Sequence, residues 1–310
     1  MNSLRKSKWF VLSACLAAAV QLTITGCSTV PQSSVVSWRE AVRAAKDQSS
    51  ATFEAVGLLT RESQLDRIER LPADQLKQIT ESDVAPALPV EARRQWNLAL
   101  DAMAAYASSV EALVSPELPQ GMGDSLQRTG EQIGATANVE QLRSDKELSK
   151  AIGALGRQIV AAAANRKARK VMLQVDPAVG EVTTRMAIML YAAQEKTDAE
   201  GKPFVRESGV VPTARVTWDD RVTAVQEKFR DATAGPERRA LAQQYAVLLD
   251  KRAAFEESLM SLRRALIDLG AAHTAAAQGR SADLGTLVAA MREGVKLAKD
   301  LAESLKKKPQ

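Results

Sequence analysis

Along Phe255, Leu259, Leu262, Leu266, Leu269, His273 and Ala276 the chain places one face's residues alternately four and three positions apart. Leu284, Val288, Met291, Val295, Ala298, Ala302 and Leu305 repeat the spacing, as do Trp96, Leu100, Met103, Ala107, Val110 and Val114. Shorter stretches, Leu148 to Ile159 and Trp218 to Phe229, follow the same habit. A helix turns once every 3.6 residues, so such spacing lines up one apolar seam per helix. No stretch shows sustained two-residue alternation. The seams therefore predict an all-α protein, an antiparallel multi-helix bundle closed by a long C-terminal helical hairpin.

Punctuation predicts the elements. A first helix runs from Ser37 to Leu71, stopped by Pro72, and a short one covers Asp74 to Ser82 before the loop "DVAPALP". The Trp96 helix starts near Val90 and ends before "SPELPQG", and a weaker one spans Asp124 to Ala135. The fifth starts with Ser144 as N-cap and Glu147 three residues on, and ends near Val175, before Pro177. The next runs from Ala178 to Thr197, and Asp198 to Arg215 is the longest non-helical stretch. After the Trp218 helix, Pro236 suits the first turn of a helix from Glu237 to Ala277. Gly279 separates it from the last helix, Asp283 to Lys307. A weak subdivision near residues 139–144 is the one internal boundary visible. The Ala-rich stretches "VAAAAN" and "GAAHTAAAQG" allow close helix approach, and charges punctuate every helix, which favours packing over membrane insertion.

The N-terminus is of another kind. Arg5, Lys6 and Lys8 precede the apolar run Trp9 to Val20, which is too short to span a bilayer. The segment then ends in Ile24-Thr25-Gly26-Cys27, which resembles the lipobox of bacterial lipoproteins. "LSAC", ending at Cys15, fits the same pattern but leaves only Trp9, Phe10 and Val11 as an apolar region before it. The resemblance implies a signal peptide over 1–26, lipidation and cleavage at Cys27, and a lipidated tether over 27–36. The bundle then occupies 37–310. It further implies a membrane bound through three acyl chains, where one alone gives marginal anchoring. Ser28, rather than Asp, resembles a sorting signal for the outer membrane, with the body facing the periplasm. The alternatives are an ordinary cleaved signal with an incidental thiol, and an uncleaved N-terminal anchor.

Such processing removes three basic residues and no acidic ones, so a formal charge of +5 becomes +2. The basic balance then gives no argument for nucleic acid. It also removes Cys15, leaving no thiol for a disulfide. Lys306, Lys307 and Lys308 read as a solvated helix end.

Catalytic chemistry finds little support. "GDSL" at Gly123 to Leu126 resembles the motif of a family of serine esterases, in which a late Asp-x-x-His supplies the base. Here no strand precedes it, and the residue three before His273 is Gly270. His273 is the one histidine, so neither a metal centre nor a cofactor is expected. It reads as a half-buried side chain at the hairpin end. Asp219-Asp220 and Glu256-Glu257 are adjacent pairs that point about 100° apart on a helix and are expected to be solvated. No phosphate-binding or dinucleotide fingerprint occurs, and the chain does not read as an enzyme.

The stretch Asp198 to Arg215 stands out, because long loops in compact bundles often carry binding. Within it Phe204, Val205 and Arg206 are candidate contacts for a protein partner in the cell envelope; the alternative folds the loop back and buries Phe204. Three functions remain open. One is a structural or interaction component of an envelope assembly. Another is a module holding a lipid or small hydrophobe beside Trp96, Met103, Tyr106, Met186 and Met189. The third is a membrane-active helical toxin or its immunity factor.

Overall fold

A computed structural model of the chain describes residues 30–71, 80, 88–115, 122–137, 145–165, 167–198, 200–280 and 284–306. The expected all-α bundle is what forms. Its helices are α1 (Gln32–Arg70), α2 (Val90–Val114), α3 (Met122–Ala137), α4 (Lys146–Ala162), α5 (Ala168–Leu190), α6 (Val210–Asp231), α7 (Gly235–Ala277) and α8 (Leu284–Lys306). Between α5 and α6 lies an antiparallel ribbon of β1 (Ala192–Thr197) and β2 (Pro203–Ser208). The signal peptide, Cys27, the short helix expected over 74–82 and Ser144 fall wholly or largely outside the described residues.

Helix α1, 39 residues long, is the central element. It packs against α2, α6, α7 and α8, so it is buried on more than one side. Its inner positions are accordingly small, aromatic or aliphatic, among them Trp38, Ala41, Ala45, Phe53, Ala55 and Leu59. Contacts fix the directions. Lys46 pairs with Asp101 and Phe53 meets Trp96 edge-on, so α2 runs antiparallel to α1. Gln48 bonds Ser261 and Thr52 bonds Ser258, so α7 is antiparallel as well. Helix α8 lies mainly along α1 and runs parallel to it, with Gly294 against Gln48 and Lys306 against Glu54. The C-terminal hairpin is therefore clasped by the first helix. Among the described residues nearly all the buried apolar side chains form one continuous cluster, to which each of α1 to α8 contributes. Each large side chain buried there is worth about 1.5–3 kcal/mol.

Several boundaries differ from expectation. α1 starts at Gln32 rather than Ser37, because Val35 and Trp38 already lie in the core. The cap of α4 is Asp145, whose carboxylate accepts the N–H groups of Glu147 (2.8 Å) and Leu148 (2.9 Å). Gln95 of α2 holds that cap from outside, accepting the Asp145 N–H (2.9 Å) and donating to Ser149 (2.8 Å).

The break expected at Pro177 lies instead at residues 163–167, and α5 runs through the proline. Proline frees the carbonyl four residues back. Leu173 and Pro177 are both exposed, so the missing bond falls on the solvent face of α5, where a proline is tolerated best. On the inner face Val171, Val175, Val179, Val182, Met186 and Leu190 continue without interruption.

α5 then stops at Leu190. Ala192–Thr197, expected as helix, is strand, and Val210–Arg215, expected as loop, is helix.

Helices α3 and α4 cross at glycine. A Cβ on Gly156 would lie 2.7 Å from both the Gly130 carbonyl oxygen and the Gly134 nitrogen. Backbone occupies that space and cannot swing aside. Gly156→Ala should therefore destabilise the protein by about 1–3 kcal/mol through overpacking, despite alanine's better helix propensity. Gly180→Ala in α5, where a Cβ meets nothing within 4 Å, should be neutral or stabilising by up to about 1 kcal/mol. Urea unfolding followed by circular dichroism checks both; equal midpoints for the two variants would remove the crossing from the account.

Candidate functional site

Two places combine unusual chemistry with a defined geometry. The first is buried. Where α1, α2, α5 and α7 meet, the Tyr106 hydroxyl lies 3.2 Å from His273 Nε2, and His273 Nδ1 lies 2.7 Å from Asp176 Oδ1. Thr274 donates to the same carboxylate oxygen (2.9 Å), and the Trp38 indole donates to the Leu269 carbonyl (3.2 Å). The Trp38 and His273 rings are 4.8 Å apart. His273 was expected half-buried; it is fully enclosed, with both ring nitrogens bonded.

Burial drives the Tyr106 phenol well above its ordinary value, with the Asp176 charge adding to the effect. Burial pushes His273 below its ordinary value, against the opposing pull of Asp176. Desolvation acts to raise the Asp176 carboxyl, yet the hydrogen bonds from His273 and Thr274 hold it low. The consistent assignment is a neutral imidazole that donates from Nδ1 to Asp176 and accepts the Tyr106 proton at Nε2. An Asp-His-Tyr order resembles a nucleophile relay, but Tyr106 and His273 are sealed from solvent. With both side chains buried, these bonds form a joint that ties α2, α5 and α7 together. Ser125 of the "GDSL" match is exposed on α3, while the one histidine sits in this joint.

The second place is the ribbon. Apart from Ala192 at its base, every strand residue is exposed, including Phe204 and Val205 at 44% and 57%. Phe204 is not folded back on the bundle. The strands run roughly 20 Å outward at about 3.3 Å per residue. Asp198 makes the turn, accepting the N–H groups of Glu200 (3.0 Å) and Lys202 (2.8 Å), and Gly201 takes a positive φ of 79°.

The root, in contrast, is clamped. Glu207 accepts from the Tyr191 hydroxyl (2.8 Å) and from Arg215 (2.7 Å), and Arg215 also reaches Glu256 (3.2 Å). The Tyr191 bond, then Arg215, holds the Glu207 carboxyl below its usual range. Arg263 donates to the Tyr191 carbonyl (3.2 Å) and lies over its ring. Gly209, with φ of 112°, returns the chain to α6 beside the carbonyls of Met189 and Leu190, where a Cβ would sit 2.7 Å from either oxygen. Single exposed ion pairs contribute little, but this network shares its charges and fixes the ribbon's direction.

Of the five residues expected around a ligand, Trp96, Met103, Tyr106 and Met186 fill the continuous core. Met189 lines a groove of about 200 Å³ beside Gly209 and Thr213. Among the described residues no group of three or more His, Cys, Asp or Glu could hold a metal ion, and no helix is long and apolar enough to cross a membrane. Asp176, the partner of His273, and the Tyr191–Glu207–Arg215 root were not apparent as site residues. Asp176 and Arg215 lie inside helices and carry no sequence signal of their own, and only Tyr191, just past the end of α5, marks a helix end.

Because the folded value of His273 is lowered, the unfolded chain takes up the proton first as pH falls. Stability is then full above about pH 6.5 and declines below it, with a slope approaching about 1.4 kcal/mol per pH unit. Asp176, also lowered, adds a further loss below about pH 4. As His273 is the sole histidine, His273→Leu should be less stable at pH 7.5 by about 1–3 kcal/mol yet nearly flat between pH 7.5 and 5.5. Urea midpoints across that range test this; an unchanged slope in the variant would show the imidazole is not the titrating group.

No protein-family model, no curated protein and no solved structure matches this chain.

Proposed function

We propose that the chain is a lipoprotein, anchored through Cys27 to the periplasmic face of a bacterial outer membrane, and that its bundle serves as a structural docking component of an envelope assembly. The observation that carries the docking part is the contrast within the ribbon. A root network of Tyr191, Glu207, Arg215, Glu256 and Arg263 aims the arm, while its exposed strands make almost no use of the bundle. A two-stranded ribbon is marginal by itself. Holding one out at fixed direction favours a role that is completed by another molecule, with Phe204, Val205 and Arg206 as its contacts. The anchor rests on the lipobox resemblance at Ile24 to Cys27. With α1 beginning at Gln32, residues 28–31 span at most about 15 Å, so the body stays close to the bilayer.

A second reading, a module for a small hydrophobe, draws support from a groove of about 470 Å³ between α6 and α7. Val225, Phe229, Leu241, Ala242 and Tyr245 line it. Native mass spectrometry of the purified chain would find a bound hydrophobe under this reading and none under the first.

The anchor is tested by Cys27→Ser. Wild type should fractionate with outer membranes and label with palmitate, and the variant should lose both. Normal maturation and membrane recovery of the variant would overturn the anchor. Replacing residues 194–206 by a short turn should leave the helical spectrum unchanged and abolish recovery of the envelope partner; unchanged recovery would remove the ribbon from the reading.

A further inference from the structure

The ribbon has two open edges, and their chemistry differs. The Asp198 N–H donates to the Lys202 carbonyl (3.0 Å), which sets the alternation of the ladder. Lys196–Phe204, Gln194–Arg206 and Ala192–Ser208 are then the pairs that exchange bonds inside the ribbon. Ala193, Glu195 and Thr197 on β1, and Pro203, Val205 and Glu207 on β2, turn their backbone groups outward. Pro203 fits this assignment, since the inner ladder asks no N–H of it. Such edges are templates for a further strand.

Antiparallel pairing of β2 with its own copy about Val205 is self-complementary. Val205 then faces Val205, Phe204 faces Arg206 of the other copy, and Glu207 faces Pro203. No like charges meet, and two arginine–aromatic pairs form across the two-fold axis. Four backbone bonds close the seam, two between the valines and two from Glu207 N–H to the Pro203 carbonyl. The β1 edge fares worse. Centred on Glu195 it sets two carboxylates opposite one another, and centred on Gln194 it places Lys196 opposite Ala192, with no gain.

The geometry points to a second copy of this chain as the occupant of the β2 edge, giving a four-stranded sheet ordered β1-β2-β2-β1. This rests on the docking reading above and names its partner. The contact is isologous, as two-fold dimers require, and four strands exceed the marginal two. Its area is small, so it gains from confinement of both copies near one bilayer, which raises their effective concentration.

The test uses the full chain in its membranes. Val205→Cys and Glu195→Cys are each oxidised and run without reductant, beside wild type. Opposed residues of a bonded antiparallel pair lie about 5.5 Å apart at Cα, within disulfide range. Val205→Cys should give a covalent dimer severalfold above Glu195→Cys and wild type. Adding Phe204→Lys, which sets lysine opposite arginine, should reduce that dimer severalfold. No dimer above wild type, or equal dimer from Glu195→Cys, overturns the proposal. If Val205→Glu still abolishes capture of an envelope protein while Val205→Cys fails to dimerise, self-pairing falls and the docking reading stands. All these side chains are exposed, and an unchanged helical spectrum confirms that each variant folds.

Discussion

The directional bonds at the junction of α1, α2, α5 and α7 are the constraint on which the packing depends. Seams of Leu, Val and Ala attract without direction, and an alanine-rich helix can slide by a turn at little loss of buried area. Trp38 to Leu269, and Tyr106 through His273 to Asp176, allow no such slide, because each shift would leave a buried polar atom without a partner. The polar contacts of Gln48 with Ser261 and of Thr52 with Ser258 repeat the device farther along α1 and α7. Gln95 does the same for α2 and the start of α4.

Within that frame the ribbon is an exception that needs its own support. No face of the described bundle covers it, so its order derives from the turn at Asp198 and the root at Glu207. Arg215 links this root to Glu256, and Arg252 continues the chain of charges to Asp219, joining β2, α6 and α7. The direction of the arm is thus set by the same two helices whose inner contact is Trp218 against Phe255.

The seams were readable because burying one face of a helix writes a period into the sequence. Phe255 to Ala276 and Leu148 to Ile159 are buried as their spacing required. Pro177 misled because a proline's cost depends on which face of the helix loses its bond, and here Leu173 and Pro177 are both exposed. The ribbon was invisible for a related reason: two-residue alternation arises when one strand face is buried, and neither is. Ala193, Gln194, Glu195 and Lys196 look helical because nothing in their packing demands otherwise. Phe204, Val205 and Arg206 were readable as exposed candidates, but the strand edge that distinguishes Val205 is a backbone property. His273 lay on a visible seam, while its partner Asp176 stands 97 positions away, and only the fold brings them together.

The placement of α1 has a mechanical corollary. Its first turn enters the core directly, and the helix continues for 39 residues between α2, α6, α7 and α8. Tension applied at the N-terminus would act along this rod and load its flanking contacts in shear, all at once, rather than peeling them one after another. A load on the first helix is thereby shared with every helix that flanks it.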